Sequence, residues 1–222
     1  MSDLCHKGTM VLFAPHPDDE TLGCGGFLAK RIDEGYAVFV VVLTKGEKLF
    51  SRMLDIFEDP SPSEVCEMRR SETRRATEIM GLPRENLLFL DFEDAMLEIQ
   101  GEAAVKAVIE ILQQKKPCEV MCTSEHEAHA DHVAAYRIVR RACEKVGDGI
   151  AIRKYITLLA EGVSISQLPG RIETVDVRKY LPAKRKAVAQ FRSHLEIQSA
   201  RQSRPLAVSF EEFLTPEEQF VL

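Results

Sequence analysis

The sequence predicts an α/β fold: a doubly wound, mostly parallel sheet covered by helices on both faces, three layers in all. Two observations predict it. Short apolar runs bounded by turn signals, as expected of strands buried on both faces, recur along the first two-thirds of the chain. Between them lie segments of helical period. Such βαβα order gives parallel strands joined by right-handed crossovers. In open sheets of this kind, ligands bind outside the carboxyl ends of the strands.

Met10 to Ala14 is the first strand and stops at Pro15. Ala37 to Leu43 is the second, and Asn86 to Phe92 and Cys118 to Thr123 supply two more. Ser61-Pro-Ser-Glu64 reads as a capping box with proline at the first helical position, opening a helix that runs to Gly81. Val105, Val108, Ile109 and Leu112 recur at helical spacing, with Pro117 just beyond, and Val133 to Lys145 reads as another helix. Lys45 to Pro62 is expected to be a loop carrying at most one helical turn; loops of that length are often lids or binding loops. After Ile150 the pattern changes to strands at Ile152–Leu159 and Ile172–Val177 and a charged helix from about Pro182 to Gln202. The 222 residues suit one domain spanning the chain.

Composition narrows the partners. A net charge of −6 offers no basic field for a phosphate backbone, so nucleic acid is not an expected partner. The longest apolar run, Ala37 to Leu43, falls far short of the roughly 20 residues that span a bilayer. The first residues lack the pattern of a secretory signal, so no membrane partner and a cytoplasmic location are expected. The six cysteines, Cys5, Cys24, Cys66, Cys118, Cys122 and Cys143, show no C-x-x-C spacing and read as reduced core thiols.

Two clusters carry chemistry. Pro15-His16-Pro17-Asp18-Asp19-Glu20 directly follows the first strand. A solvated acidic turn capping the next helix would explain the carboxylates but has no need of His16. Glu125-His126-Glu127-Ala128-His129-Ala130-Asp131-His132 follows the Cys118–Thr123 strand and holds three of the six histidines within seven residues. Imidazoles from one strand end and a carboxylate from its neighbour could form the three-ligand set of a catalytic zinc, which leaves one position open.

These residues resemble the LmbE/PIG-L family of zinc-dependent N-acetylglucosaminyl deacetylases, in P-H-P-D-D-E after the first strand and H-x-D-H opening a later helix. Thr44-Lys-Gly-Glu47 is similar to the family's T-x-G-E, and Arg69-x-x-Glu72-x-x-x-Ala76 to its R-x-x-E-x-x-x-A helix. Asp94 stands where a D-G-x-L turn is usual, with Ala95 replacing the glycine, and Lys184 to Ser193 follows the family's K-x-x-A-L helix. The resemblance implies one zinc per chain bound by His16, Asp19 and His132, with Asp18 as general base and His129 facing the developing oxyanion. Iron(II) fits the same nitrogen and oxygen set. A protonated His129, its ring oriented by Asp131, would stabilise that oxyanion. Zinc would acidify water and polarise an amide carbonyl. Arg69 is expected to reach the pocket and bind sugar hydroxyls, and Asp94 to bind another; Glu47 has similar standing, with an ion pair or a turn carboxylate as the plainer readings. Arg70, Arg74 and Arg75 read as a solvated basic face, His126 and His6 as bystanders, and Cys24 as part of a glycine-rich helix contact. His194 replaces a common glutamine and receives no role.

The expected substrate is therefore a small amino sugar or its conjugate, and a homo-oligomer is compatible with the sequence. Three other readings compete. A zinc amidase or de-N-acylase would act on another small amide or a thiol-sugar conjugate. A non-catalytic metal protein would have no need of Asp18 and His129. A nucleotide-binding module on a Rossmann-like sheet would need glycine where Leu28 stands in Gly23-x-Gly25-Gly26, and would set pyrophosphate against the acidic cluster.

Overall fold

The computed structural model describes residues 7–147 and 150–222, so the expectations for Cys5 and His6 fall outside the described residues. Strand β1 (Thr9–Ala14) leads into helix α1 (Asp19–Asp33), β2 (Ala37–Thr44), the short α2 (Leu49–Leu54) and α3 (Pro62–Ile79). Then come β3 (Leu87–Phe92), α4 (Gly101–Lys115), β4 (Glu119–Thr123), α5 (Ala130–Val146) and β5 (Ala151–Tyr155). Strand β6 (Ile172–Asp176), helices α6 (Leu181–Val188) and α7 (Arg192–Leu195), and β7 (Glu217–Val221) complete the order.

The seven strands form one sheet in the order β3-β2-β1-β4-β5-β7-β6. β1 to β5 are parallel to one another. β7 runs antiparallel to both of its neighbours. The chain winds outward from β1 to β3 and returns to the other side of β1 with β4. That reversal opens a crevice at the carboxyl ends of β1 and β4, where the two acidic, histidine-rich segments begin.

The three layers follow from alternation along β1. Met10, Leu12 and Ala14 face a cluster holding Phe27 and Leu28 of α1, Ala76 of α3 and Ala187 of α6. Val11 and Phe13 face α4 and α5 through Val105, Val108, Ile138 and Val139. With both faces covered, the middle of β1 is wholly apolar, and each buried aliphatic side chain contributes about 1.5–3 kcal/mol. The Ser61–Glu64 capping box forms as expected at the start of α3. Close packing of α1 depends on Gly23, where a Cβ would lie 2.4 Å from the Tyr155 ring.

Three elements differ from the sequence expectation. β5 ends at Tyr155 rather than Leu159, because the Thr157 and Leu158 amides leave the sheet and donate to the Glu127 carboxylate at 2.5 and 2.8 Å. The helix expected from Pro182 to Gln202 breaks into α6 and α7. The turn between them buries Phe191 and lets the Ser193 amide and hydroxyl both donate to Glu72 at 2.7 Å. β7 has no counterpart among the expected strands, since an inward position is taken by Glu218. That carboxylate accepts from the Gly26 and Phe27 amides at 2.8 and 2.7 Å and from Lys184 Nζ at 2.7 Å.

Candidate metal centre and active site

The loop after β1 and the start of α5 bring three donor atoms together. His16 Nδ1 lies 3.2 Å from His132 Nε2 and 3.4 Å from Asp19 Oδ2, and His132 Nε2 lies 3.2 Å from Asp19 Oδ2. All three side chains are buried. Tetrahedral zinc with bonds of 2.0–2.2 Å holds its ligand atoms about 3.3–3.6 Å apart, so this triangle is close to the size that a divalent metal requires.

Each imidazole is held from behind by carboxylates. His16 Nε2 meets Asp131 Oδ2 at 3.2 Å and Asp94 Oδ1 at 3.3 Å. His132 Nδ1 meets Glu127 Oε2 at 3.3 Å and the Thr157 hydroxyl at 3.2 Å. Such partners fix ring orientation and strengthen a histidine ligand. Burial alone would lower the proton affinity of both rings. The surrounding carboxylates outweigh it, lifting His16 well above its ordinary range and His132 to about 9. Without a metal the pair would hold protons where a cation fits. The donor set and its negative surroundings therefore suit a divalent metal.

Asp18 stands beside the triangle in a left-handed conformation (φ 119°) that costs a non-glycine residue of order 1–3 kcal/mol. Its Oδ2 accepts from Arg69 Nη2 at 3.1 Å and faces His194 Nε2 at 3.4 Å. Burial pushes its carboxyl up to about 6 against the pull of the Arg69 guanidinium. Burial, aided by Arg69, drives His194 down to about 3, so this imidazole is neutral at ordinary pH.

Arg69 does not present a free fork to a ligand. Its Nη1 donates to Gly46 O at 3.0 Å and its Nη2 to Pro17 O at 2.6 Å as well as to Asp18. Gly46 is required there: at φ 64° a Cβ would lie 2.2 Å from Arg69 Nη1. Arg69 lines the cavity, as expected, and at the same time clamps the loop that carries Asp18. Asp94 also lines the cavity, where it meets His16 and accepts from the Lys48 amide at 3.2 Å. Glu47 accepts from the Asp94 amide at 3.2 Å.

His129 is the N-cap of α5, and its Nδ1 accepts from the Asp131 amide at 3.2 Å. A neutral ring with Nδ1 accepting carries its proton on Nε2, which leaves a donor facing the cavity; the ring nitrogens of His16, His129 and His132 also lie close enough together to hold a metal ion. Burial and the charges of His16, His132 and Arg52 push His129 down to about 4 in the metal-free protein, away from the protonated form expected from sequence. The Asp131 carboxylate does not orient it. Oδ2 accepts from the Ala95 amide at 2.7 Å and meets His16, while Oδ1 accepts from the Leu97 amide at 3.3 Å. The Asp131 side chain thus holds His16, not His129.

A cavity of about 460 Å³ opens over these groups. Its floor is the histidine and aspartate cluster, and its rim is apolar, with Leu49, Met53, Leu158, Leu206, Phe210 and Phe213. His126 lies off this cavity beside Glu125. Arg70 and Arg74 are half-buried with their guanidinium groups over Phe89, and Arg75 is exposed. Sequence reasoning gave no role to Glu127, although it lies in the quoted cluster, nor to His194, noted only as replacing a glutamine; no local pattern marks Arg52.

The GlcNAc-PI de-N-acetylase (PIG-L) family matches residues 11–143. A probable N-acetyl-alpha-D-glucosaminyl L-malate deacetylase 2 from Bacillus cereus is 32% identical over 142 residues, which cover 63% of this chain and 62% of that protein. N,N'-diacetylchitobiose deacetylase from Pyrococcus horikoshii superposes with a TM-score of 0.70 at 20% identity, over 96% of this chain and 83% of that one. The hydratase GalB from Pseudomonas putida KT2440 also shares the fold, with a TM-score of 0.67 at 20% identity over 82% and 78% of the chains. Likeness at that level speaks to the fold alone, and reactions other than deacetylation occur on it. The family match, by contrast, runs through both metal motifs and over more than half of the sequence: the chain belongs to the PIG-L family of GlcNAc-PI de-N-acetylases.

Proposed function

We propose that this protein is a zinc-dependent hydrolase that removes the N-acetyl group from an N-acetylglucosamine-type amino sugar or conjugate. The observation that carries the reading is the triangle of His16, Asp19 and His132 with a second carboxylate, Asp18, beside it. His16 Nδ1, Asp19 Oδ2 and His132 Nε2 would hold the zinc. When bound, it supplies Lewis acidity for the amide carbonyl and for the attacking water.

The chain's own residues do the rest. Asp18 takes the proton of the attacking water and returns it to the leaving nitrogen, acting as base and then as acid. Arg69 keeps its carboxylate aimed into the cavity. His129 Nε2–H donates to the oxygen on which negative charge develops. Asp94, Asp131 and Glu127 hold the two imidazoles in their ligating orientation.

The apolar rim favours a second reading in which the substrate carries a nonpolar substituent, as in a conjugate or a longer N-acyl amide. Acetate release from a panel of N-acetylglucosamine derivatives, with metal-free and zinc-loaded protein, tests the proposal. Zinc-dependent acetate release is expected. Equal activity in metal-free protein, or cleavage only of amides without a sugar, would overturn it.

A further inference from the structure

We infer that Arg52 is a second oxyanion donor, acting with His129 on the carbonyl oxygen of the scissile amide. The inference rests on the deacetylase reading and names a catalytic residue that the sequence motifs do not contain.

Arg52 Nη1 lies 3.3 Å from His129 Nε2. As the Asp131 amide occupies the lone pair of Nδ1, Nε2 carries the hydrogen, and the two facing groups are both donors. Two donors at that separation do not satisfy each other; an oxygen lying about 2.8–3.0 Å from each would satisfy both. Among the described residues no carboxylate lies within 4.0 Å of the Arg52 guanidinium, whereas neighbouring Lys48 is paired with Glu93 at 2.7 Å. Both donors line the same cavity as His16, Asp18 and Asp19.

The helix that carries Arg52 is anchored. Phe50 of α2 is buried against Ile56 and Val65 of α3, and the Lys48 amide at its start is held by Asp94. Arg52 itself is exposed on that helix, so its charge is available to the cavity without supporting the core.

In the reaction, the water oxygen bonds to the carbonyl carbon and the π electrons move onto the carbonyl oxygen. That oxygen accepts from Arg52 and His129. When the electrons return, the carbon–nitrogen bond breaks, the water proton taken up by Asp18 passes to the nitrogen, and acetic acid and free amine leave, the acid giving its remaining proton to solvent.

The test uses zinc-loaded full-length protein and a neutral substrate, N-acetylglucosamine or its methyl glycoside. Arg52→Gln should lower kcat by about 10²-fold, the effect of losing one oxyanion donor, with KM changed by no more than about twofold. Arg52→Lys should recover part of the loss. Methylphosphonate, a tetrahedral anion, should inhibit Arg52→Gln at least about tenfold more weakly than wild type. Unchanged kcat and unchanged methylphosphonate inhibition would overturn the inference. So would an effect confined to the KM of a carboxylate-bearing conjugate, which would make Arg52 a contact for that anion. If wild-type protein releases no acetate from any amide, the deacetylase reading fails and this one with it. If wild type is active and Arg52→Gln is equally fast, only this one fails.

Discussion

Replacing Arg69 with lysine separates a clamp on Asp18, the proposed base, from a contact to the sugar. The guanidinium makes three bonds at once, to Pro17 O, Gly46 O and Asp18 Oδ2. An ammonium is a point charge on a shorter stem and cannot span all three. It can keep the Pro17 carbonyl, the nearest at 2.6 Å, and release Asp18. One lost charge-assisted hydrogen bond is worth about 1.5–3 kcal/mol. If that loss is expressed in the placement of Asp18, kcat falls roughly 10–150-fold, at 1.36 kcal/mol per decade.

The assay is acetate release from an N-acetylglucosamine derivative and from a small N-acetyl amide without the ring. Both rates should fall by the same factor, since both reactions use Asp18. The pH profile should also move. Arg69 pulls the Asp18 carboxyl down against its burial, which alone favours protonation. A weaker partner raises the Asp18 pKa, so activity that needs the ionised base fades at a higher pH as acid is added. A bound cation lowers the absolute position of that limb in both proteins, so the displacement between them is the quantity to read. A loss confined to the sugar substrate would refute the clamp, and loss of the metal would assign Arg69 to the fold.

Asp18→Asn should keep its metal content while deacetylation falls about 10²–10⁴-fold, checked by metal analysis alongside acetate release; loss of metal would make Asp18 a ligand. Asp131→Asn should weaken zinc binding about 10–100-fold in a competitive chelator titration, because Asp131 Oδ2 steadies His16. An effect on turnover at saturating zinc alone would instead place Asp131 in the reaction. Zinc binding at pH 7 should release about two protons, read by calorimetry in buffers of differing ionisation enthalpy. The sign follows from the elevated proton affinity of both rings in metal-free protein, His16 well above its ordinary range and His132 at about 9, so that a cation must displace their protons. No proton release would mean that these imidazoles are not the ligands.

The sequence by itself determined the sheet and the family. β1, β2 and β4 are buried on both faces and were legible as apolar runs, and P-H-P-D-D-E and H-x-D-H carried the PIG-L resemblance that the family match supports. Elements whose stability comes from distant polar contacts were not legible. β7 turns Glu218 inward against Lys184, and α6 and α7 part so that Ser193 can reach Glu72, 121 residues away in sequence. The same physics divides the candidate site. Residue type marks a group that can ligate metal or carry a proton, so His16, Asp18, Asp19, His129 and His132 stand out in the chain. What each group faces is a long-range matter. Only the folded molecule turns Arg69 onto the Asp18 loop, Asp131 and Asp94 onto His16, and Arg52 onto His129, because hydrogen-bond direction depends on partners that sequence spacing does not encode.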